Sequence, residues 1–189
     1  MSEKLDPEEV VAVINAYLDV QARIISEHGG YLERFVGDAV SAVFGVPAER
    51  PDDTERAVRC AWAIRQAVTA MVGERRRKGL LSPLIGIGLD TGHAVAGNIG
   101  AQGAKLDYTV IGDPVATSEL LQDAARDPEG KRSLALMSED TYERVRDIVE
   151  ARELEPLNIP GRSGPLRVFE LTGIGAPRHG GPSPGGGKA

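Results

Sequence analysis

The feature that most constrains the fold is a pair of short apolar runs that meet at a Gly-Asp dipeptide, within GGYLERFVGDAVSAVFGVP at residues 29–47. This pattern predicts two β-strands joined by a tight turn. Asp38 then lies at the tip of a hairpin. A carboxylate in that place either bonds the nearby backbone and forms the turn, or is presented outside the sheet as a ligand. The turn role is the commoner one for an aspartate, and the pattern alone leaves both roles open.

Helical periodicity on both sides of this stretch predicts two long helices. The first begins at Asp6-Pro7 and continues to about His28, where Gly29-Gly30 ends the pattern. The second begins after the capping residues 52–54 and ends with the basic run at 75–78. Cations at a helix C-terminus complement the helix dipole, so a structural role is favoured for this run over a phosphate-binding role.

The second half of the chain alternates apolar runs with turn residues and helical patterns. Strands are predicted at residues 84–89, 93–99, 106–111, 134–137, 151–157 and 166–171. One helix is predicted to open at Asp113 as its cap, and another to extend from Ser138 to about Val149. This order predicts an α+β fold with helices covering one face of a sheet. Residues 1–174 are expected to form one domain, and the Gly/Pro-rich residues 175–189 a disordered tail.

Charge and cysteine content exclude several classes of protein. The formal net charge of -6 does not attract a polyanion, so we expect no nucleic-acid partner. The single cysteine, Cys60, excludes an internal disulfide, and no cysteine or histidine cluster has zinc spacing. The first residues, MSEKLDPEEVV, lack a charged leader before an apolar core, and no apolar run reaches the length of a membrane span. We therefore expect a cytoplasmic protein without membrane insertion.

Three segments together resemble the catalytic domain of class III adenylate and guanylate cyclases. They are HGGYLERFVGDAVSAVFGVP (28–47), IGIGLDTGHAVAGNIG (85–100) and LDYTVIGDPVATSELLQDAAR (106–126), in the family's order and at similar spacing. The phrase PLNIPGRSGPLRVFEL (156–171) resembles the family's terminal strands, so the resemblance covers residues 1–172. It implies the ferredoxin-like nucleotide cyclase fold, an antiparallel-rich sheet covered by helices.

The resemblance also implies a reaction and its partners. Members of the family cyclise a nucleoside triphosphate: the ribose 3′-oxygen attacks the α-phosphorus and pyrophosphate leaves. This chemistry needs divalent metal ions, Mg²⁺ or Mn²⁺, held by two carboxylates, and donors that stabilise the charge of the transition state. The family builds composite sites between two cyclase domains. The resemblance therefore implies a homodimer or a heterodimer, with ATP favoured over GTP.

One of the family's two metal-binding aspartates is matched in this sequence. Asp38 matches the aspartate of the hairpin, so the resemblance favours the ligand role at that position. The other aspartate belongs to a strand before the first helix, in a phrase of the type F-x-D-I-x-x-F-T that has no counterpart here. We therefore expect the fold to lack the family's first strand. A metal ion would be bound weakly, because hard divalent ions rely on several oxygen ligands.

The positions that contact the nucleotide base are altered. Arg34 stands where adenylate cyclases usually carry a lysine, and Thr109 stands at the partner position. Arginine keeps a positive donor, but its planar fork need not contact a ring nitrogen as lysine does. Arg34 is therefore interpreted either as a base contact or as a surface cation, and Thr109 either as a base contact or as a β-branched strand residue.

The positions that stabilise the transition state are lost. Ala116 and Leu120 stand where the family usually has an asparagine and an arginine, and neither side chain donates a hydrogen bond. Leu120 is expected to be packed. Near the pyrophosphate, Pro160 stands where a lysine is common, and Arg162 is the candidate substitute.

These observations support three hypotheses. The first is a degenerate cyclase domain that keeps the fold and weak nucleotide binding but is inactive or very weak as a homodimer. The second is an active subunit completed by an upstream strand or a heterodimer partner. The third is a non-catalytic regulatory module that occupies the dimer face of a true cyclase. A missing central strand would leave backbone groups unpaired on its neighbours, so low stability, aggregation or a borrowed strand is expected.

Overall fold

The computed structural model describes residues 6–101, 105–159 and 164–175. Within these ranges the chain forms four helices and eight strands. In chain order they are α1 (Pro7–Glu27), β1 (Tyr31–Val36), β2 (Ala39–Val43), α2 (Asp53–Arg77), β3 (Gly86–Leu89), β4 (Val95–Ala101), β5 (Lys105–Ile111), α3 (Asp113–Ala124), β6 (Leu134–Ser138), α4 (Glu139–Val145), β7 (Val149–Glu153) and β8 (Val168–Ile174).

The first helix and the hairpin form where the sequence predicts them. The Asp6 side chain caps α1 by accepting a hydrogen bond of 3.1 Å from the Glu8 amide. β1 and β2 pair antiparallel as far as Val36 opposite Ala39. Gly37 in the turn has a φ of 62°, in the left-handed region that favours glycine. The hairpin therefore has Asp38 at its tip.

The strands form three separate sheets rather than the single sheet that was expected. A four-stranded sheet has the order β3-β6-β8-β7, and β1-β2 and β4-β5 form two-stranded sheets. Only β3 and β6 are parallel; the other pairs are antiparallel. The α+β class and the antiparallel-rich pairing are confirmed.

β2 and β3 each have one edge without a partner among the described strands. β2 pairs with β1, and β3 pairs with β6. Both strands nevertheless rest on the same helices, because Val40 and Ala42 of β2 and Ile87 of β3 pack against the core formed by α1 and α2. Both strands therefore contact the same helices, and each has a free edge among the described strands. Such edges are sites at which a further strand can add.

Helices lie on both faces of the four-stranded sheet, so the expectation of helices on one face is wrong. On one face, Ala135 and Met137 of β6 pack with residues of α2 and α4. On the other face, Leu134 and Leu136 pack with Leu121 of α3. The alternation of side chains along β6 separates these two cores.

Two glycines allow α3 to lie directly on β3. A Cβ added at Gly86 would lie 2.6 Å from the Gln122 carbonyl oxygen. A Cβ added at Gly88 would lie 2.0 Å from the Ser118 carbonyl oxygen and 2.4 Å from the Gln122 amide nitrogen. Because these neighbours are backbone atoms of a helix, they cannot rotate away as a side chain can. The close approach of β3 and α3 therefore requires glycine.

Several element boundaries differ from the predicted ones. Gly112, not Asp113, is the N-cap of α3, and Asp113 is the first helical residue. A side chain at Gly112 would meet the His93 carbonyl oxygen at 2.9 Å, which explains the glycine at the cap position. The fourth helix ends at Val145, because Val149 already pairs with β8.

The last predicted strand begins later than expected. Leu166 forms only an isolated bridge with Leu157, and the continuous strand β8 starts at Val168. Pro160, Arg162 and residues 176–189 of the predicted tail lie outside the described residues. Within the described ranges, no helix is long and apolar enough to cross a membrane.

Candidate active site

A shift of register in the hairpin directs two charged side chains toward the second half of the chain. Leu32 lies opposite Ala42 and Arg34 lies opposite Ser41, so Glu33 is the extra residue of an irregularity of the β-bulge type. Bulges re-aim side chains and are common beside functional sites. Here Glu33 reaches β5 and Arg34 reaches α3.

Glu33 joins the hairpin to β5. Its side chain is only 1% exposed. Oε2 accepts a hydrogen bond of 2.7 Å from the Ser41 hydroxyl, and Oε1 accepts from the Thr109 hydroxyl and, at 3.1 Å, from the Val110 amide. Burial by itself would raise the pKa of Glu33, but these hydrogen bonds hold the pKa below its usual value. The carboxylate is therefore ionised at neutral pH and only accepts hydrogen bonds.

Arg34 lies between two glutamates. One guanidinium nitrogen is 3.8 Å from Glu33 Oε1, and another is 3.7 Å from Oε1 of Glu119 on α3. The Arg34 side chain is 45% exposed, and both ion pairs are long, so its guanidinium is accessible where the hairpin meets α3. This geometry suits either interpretation of Arg34, a base contact or a surface cation.

Thr109 is held at the same place. Its hydroxyl donates to Glu33 Oε1, the oxygen that also lies nearest to Arg34. The rings of Tyr31 and Tyr108 meet edge to face, with centroids 5.5 Å apart, and add a second contact between β1 and β5. The structure therefore brings together the two residues that the sequence pairs as base contacts.

Ala116 and Leu120 lie on the exposed face of α3, one turn apart and beside Glu119. Leu120 is 39% exposed, so the expectation that it is packed is wrong. The side chains that α3 packs on the sheet side are Leu121 and Thr117 instead. Because Glu119 contacts Arg34, the face that carries Ala116 and Leu120 is next to the hairpin.

Asp38 is exposed at the hairpin tip. Its carboxylate is the type of ligand that Mg²⁺ and Mn²⁺ prefer. The described residues, however, include no group of three or more His, Cys, Asp or Glu side chains that could hold a metal ion. Asp38 alone does not make a metal site, and the missing oxygen ligands would have to come from another segment or another domain.

Sequence reasoning missed Glu33 and Glu119. A signal for Glu33 was present, because strict alternation after the core residue Leu32 would place Arg34 on the core face. An arginine is rarely buried unless it is paired, so the pattern itself indicates a bulge. No comparable signal existed for Glu119, whose role depends on how α3 lies beside the hairpin.

Six large hydrophobic side chains on β1, β4, β5 and α3 are exposed, and we call this set the apolar rim. Its members are large hydrophobic side chains that are between 39% and 73% exposed. They are Phe35, Val36, Val95, Ile99, Ile111 and Leu120. Val95 and Ile111 of this set are cross-strand neighbours and form one exposed apolar patch, a feature that commonly marks an interaction site.

Comparison with known proteins gives a consistent result. The model of the adenylate and guanylate cyclase catalytic domain matches residues 1–173. Adenylate cyclase 1 of Rhizobium meliloti (strain 1021) is 32% identical over 174 residues, which cover 92% of this chain and 26% of that protein. An adenylate cyclase of Anabaena cylindrica is 32% identical over 126 residues, which cover 65% of this chain and 24% of that protein. The chain thus spans about a quarter of the length of these relatives.

Solved structures of two cyclases have the same fold. The adenylyl cyclase CyaB from P. aeruginosa has a TM-score of 0.80 and 29% identity, covering 90% of this chain and 86% of that one. The guanylyl cyclase Cya2 has a TM-score of 0.82 and 31% identity, covering 94% of this chain and 87% of that one. The family match, the relatives and the shared fold all agree with the resemblance in the sequence. This chain belongs to the family of adenylate and guanylate cyclase catalytic domains.

Proposed function

We propose that residues 1–174 form a degenerate cyclase domain that binds a nucleoside triphosphate, ATP rather than GTP, and is inactive or nearly inactive as a homodimer. The observation that carries this proposal is the exposed face of α3. Ala116 and Leu120 lie there beside the Glu119–Arg34 ion pair, and neither can donate a hydrogen bond to a phosphate or a ribose. Loss of one such donor commonly lowers a rate on the order of a hundredfold to a thousandfold.

Nucleotide binding is supported by the residues that are retained. Glu33 holds Thr109 and lies beside the exposed Arg34, which contacts Glu119 of α3, and Asp38 is exposed at the hairpin tip. A side chain that acts on the transition state affects turnover, whereas one that contacts the base affects binding. The two roles are therefore separable, and the described residues Arg34 and Thr109 are candidates for the second.

A second candidate function is an active subunit completed from outside the chain. The observation that favours it is the free edge of β2, together with the free edge of β3, on strands that both pack against α1 and α2. A strand that added to the β2 edge and carried a carboxylate would bring a metal ligand near the hairpin. Reading the DNA upstream of Met1 for F-x-D-I-x-x-F-T tests this candidate, which would still need a partner domain to supply asparagine and arginine.

Replacing Asp38 by alanine tests whether the hairpin carboxylate serves a metal–nucleotide complex. We expect the affinity for ATP in the presence of Mn²⁺ to fall about tenfold, because a charged oxygen ligand is removed. Displacement of a ribose-labelled fluorescent ATP analogue measures the affinity. Asp19→Ala removes an exposed carboxylate from α1 and serves as the matched control. Equal affinities in both variants and in the wild type would favour the purely regulatory hypothesis.

We also propose that the apolar rim is the face that meets a second cyclase domain. Val95 and Ile111 are cross-strand neighbours, 73% and 57% exposed, so a pair of aspartates there would place two charges at the centre of the contact. We expect Val95→Asp with Ile111→Asp to weaken self-association at least about tenfold. Light scattering after size-exclusion chromatography measures the mass.

The control for this experiment is Val11→Asp on α1. Val11 is 55% exposed, comparable to Ile111, but it lies outside the rim. Its replacement should leave the mass unchanged. A monomeric wild type, or an equal loss of dimer in the Val11 variant, would contradict a dimer through the rim.

A further inference from the structure

The Glu33 carboxylate fixes how Thr109 can bind a ligand. A threonine hydroxyl has one hydrogen and two lone pairs, so it can ordinarily rotate to donate or to accept. Here the hydrogen is directed at Glu33 Oε1, and the Val110 amide donates to the same oxygen from the adjacent residue. The Glu33 side chain is 1% exposed, so water does not compete for this contact. The Thr109 hydroxyl can therefore only accept a hydrogen bond from a ligand.

Arg34 has the opposite character. Its guanidinium carries donors and no acceptor. It lies 3.8 Å from the oxygen that binds Thr109, so a donor and an obligate acceptor stand side by side. A ligand edge that fits this pair has an acceptor facing Arg34 and a donor facing Thr109.

We propose that Glu33 is a positioning residue that makes the base subsite selective for adenine by committing the Thr109 hydroxyl to act as an acceptor. The inference rests on the proposed function, with Arg34 facing the ring nitrogen N1 of the purine and Thr109 facing the group at position 6. Adenine matches both contacts, since its N1 accepts and its amino group donates. Guanine mismatches both, since its N1 carries a hydrogen and its O6 accepts.

Without Glu33, the Thr109 hydroxyl would be free to rotate and donate to O6 of guanine. The free-energy cost of binding guanine would then fall, and the preference for adenine over guanine would decrease. The carboxamide of glutamine could still accept from Thr109 and the Val110 amide with its oxygen while its nitrogen donates to Ser41. Selectivity therefore depends on an acceptor at this position and not on its charge.

The experiment measures displacement of a ribose-labelled fluorescent ATP analogue from the full chain by ATP and by GTP, with Mn²⁺ present. For the wild type we expect ATP to bind about a hundredfold more tightly than GTP, because guanine mismatches both Arg34 and Thr109 at a cost of about tenfold each. In Glu33→Met, which fills the same space without an acceptor, the ratio should fall about tenfold, to the contribution of the remaining mismatch at Arg34. In Glu33→Gln the ratio should stay near that of the wild type.

Two further variants separate selectivity from general loosening of the hairpin. Ser41→Ala removes another hydrogen bond of Glu33, on Oε2, and should leave the ratio unchanged. Thr109→Val removes the hydroxyl itself and should lower the ratio of ATP to GTP affinity as Glu33→Met does. The role of the Glu33–Thr109 hydrogen bond can therefore be tested even if Glu33→Met does not fold.

The outcomes distinguish this inference from the function on which it rests. If neither ATP nor GTP displaces the analogue from the wild type, the proposed nucleotide binding fails and this inference fails with it. If both bind equally well to the wild type, or if Glu33→Met and Thr109→Val keep the wild-type ratio of ATP to GTP affinity, nucleotide binding stands and the role of Glu33 is wrong. A loss of preference in Ser41→Ala equal to that in Glu33→Met would also overturn it.

Discussion

Replacing Gly88 by valine should leave no folded, soluble protein. A Cβ at this position would lie 2.0 Å from the Ser118 carbonyl oxygen and 2.4 Å from the Gln122 amide nitrogen, both in the backbone of α3. Relief of these contacts requires the helix to move off β3, and Leu121 of α3, which is 0% exposed, would lose its packing. Overpacking commonly costs about 1–3 kcal/mol, and a clash with rigid backbone exceeds that range. A domain stabilised by about 5–15 kcal/mol does not withstand both losses.

The measurement is the yield of soluble protein, followed by circular dichroism and a thermal melt. Gly97→Val on β4 is the matched control, because a Cβ at Gly97 has no atom within 4 Å and both glycines lie in strands. It should be produced and melt near the wild-type temperature. A soluble Gly88 variant with a melting temperature equal to that of the Gly97 variant would show that α3 does not rest on β3 as described.

Restoring asparagine at Ala116 and arginine at Leu120 should raise the production of cyclic nucleotide by about a hundredfold or more. Both positions lie on the exposed face of α3, so the longer polar side chains can be accommodated without disturbing the core. The new amide and guanidinium would supply donors at two positions whose wild-type side chains cannot donate. A high concentration of Mn²⁺ in the assay offsets weak metal binding, so the gain reports the restored donors.

Asp123→Arg is the control for the double variant. It adds an arginine to the same helix at an exposed position, where the native aspartate pairs only loosely, at 3.9 Å, with Arg126. The control should leave product formation at the wild-type level. If the double variant is no more active than this control, the loss of the asparagine and arginine is not what limits turnover.

Local patterns predicted most of the secondary structure because the deciding interactions are local. The cap at Asp6, the left-handed Gly37 and the apolar periodicity of α1 act within a few residues. The family resemblance added the order of the strands and the chemistry expected of the hairpin. The α+β class therefore followed from the sequence, as the cyclase structures confirm.

The expectations that were wrong depend on long-range packing. Leu120 is apolar, and composition alone predicts burial, but α3 turns Leu121 and Thr117 toward the sheet and leaves Leu120 at the surface. The position of α3 on the opposite face from α2 follows from Gly86 and Gly88, whose importance is visible only when the helix lies above them. Neither the spacing of residues in the sequence nor their hydrophobic periodicity predicts that α3 packs directly on β3.

The candidate site was predicted in part. Arg34 and Thr109 are far apart in the sequence, and the resemblance paired them, but the carboxylate that joins them was not foreseen. Glu33 performs this role through a shift in strand register, and such a shift depends on the partner strand as well as on the residues themselves. The sequence alone therefore does not predict that Glu33 joins Arg34 and Thr109.

The most direct test of the loss of turnover is an assay of the purified, unmodified chain. ATP or GTP is supplied with Mg²⁺ or Mn²⁺, and cyclic nucleotide and pyrophosphate are quantified over a range of protein concentrations. We predict product at or barely above the level of a blank without protein, even where displacement of the fluorescent analogue shows that ATP is bound. Cyclic nucleotide formed in proportion to protein concentration and abolished by Asp38→Ala would show a working cyclase and would contradict a degenerate domain.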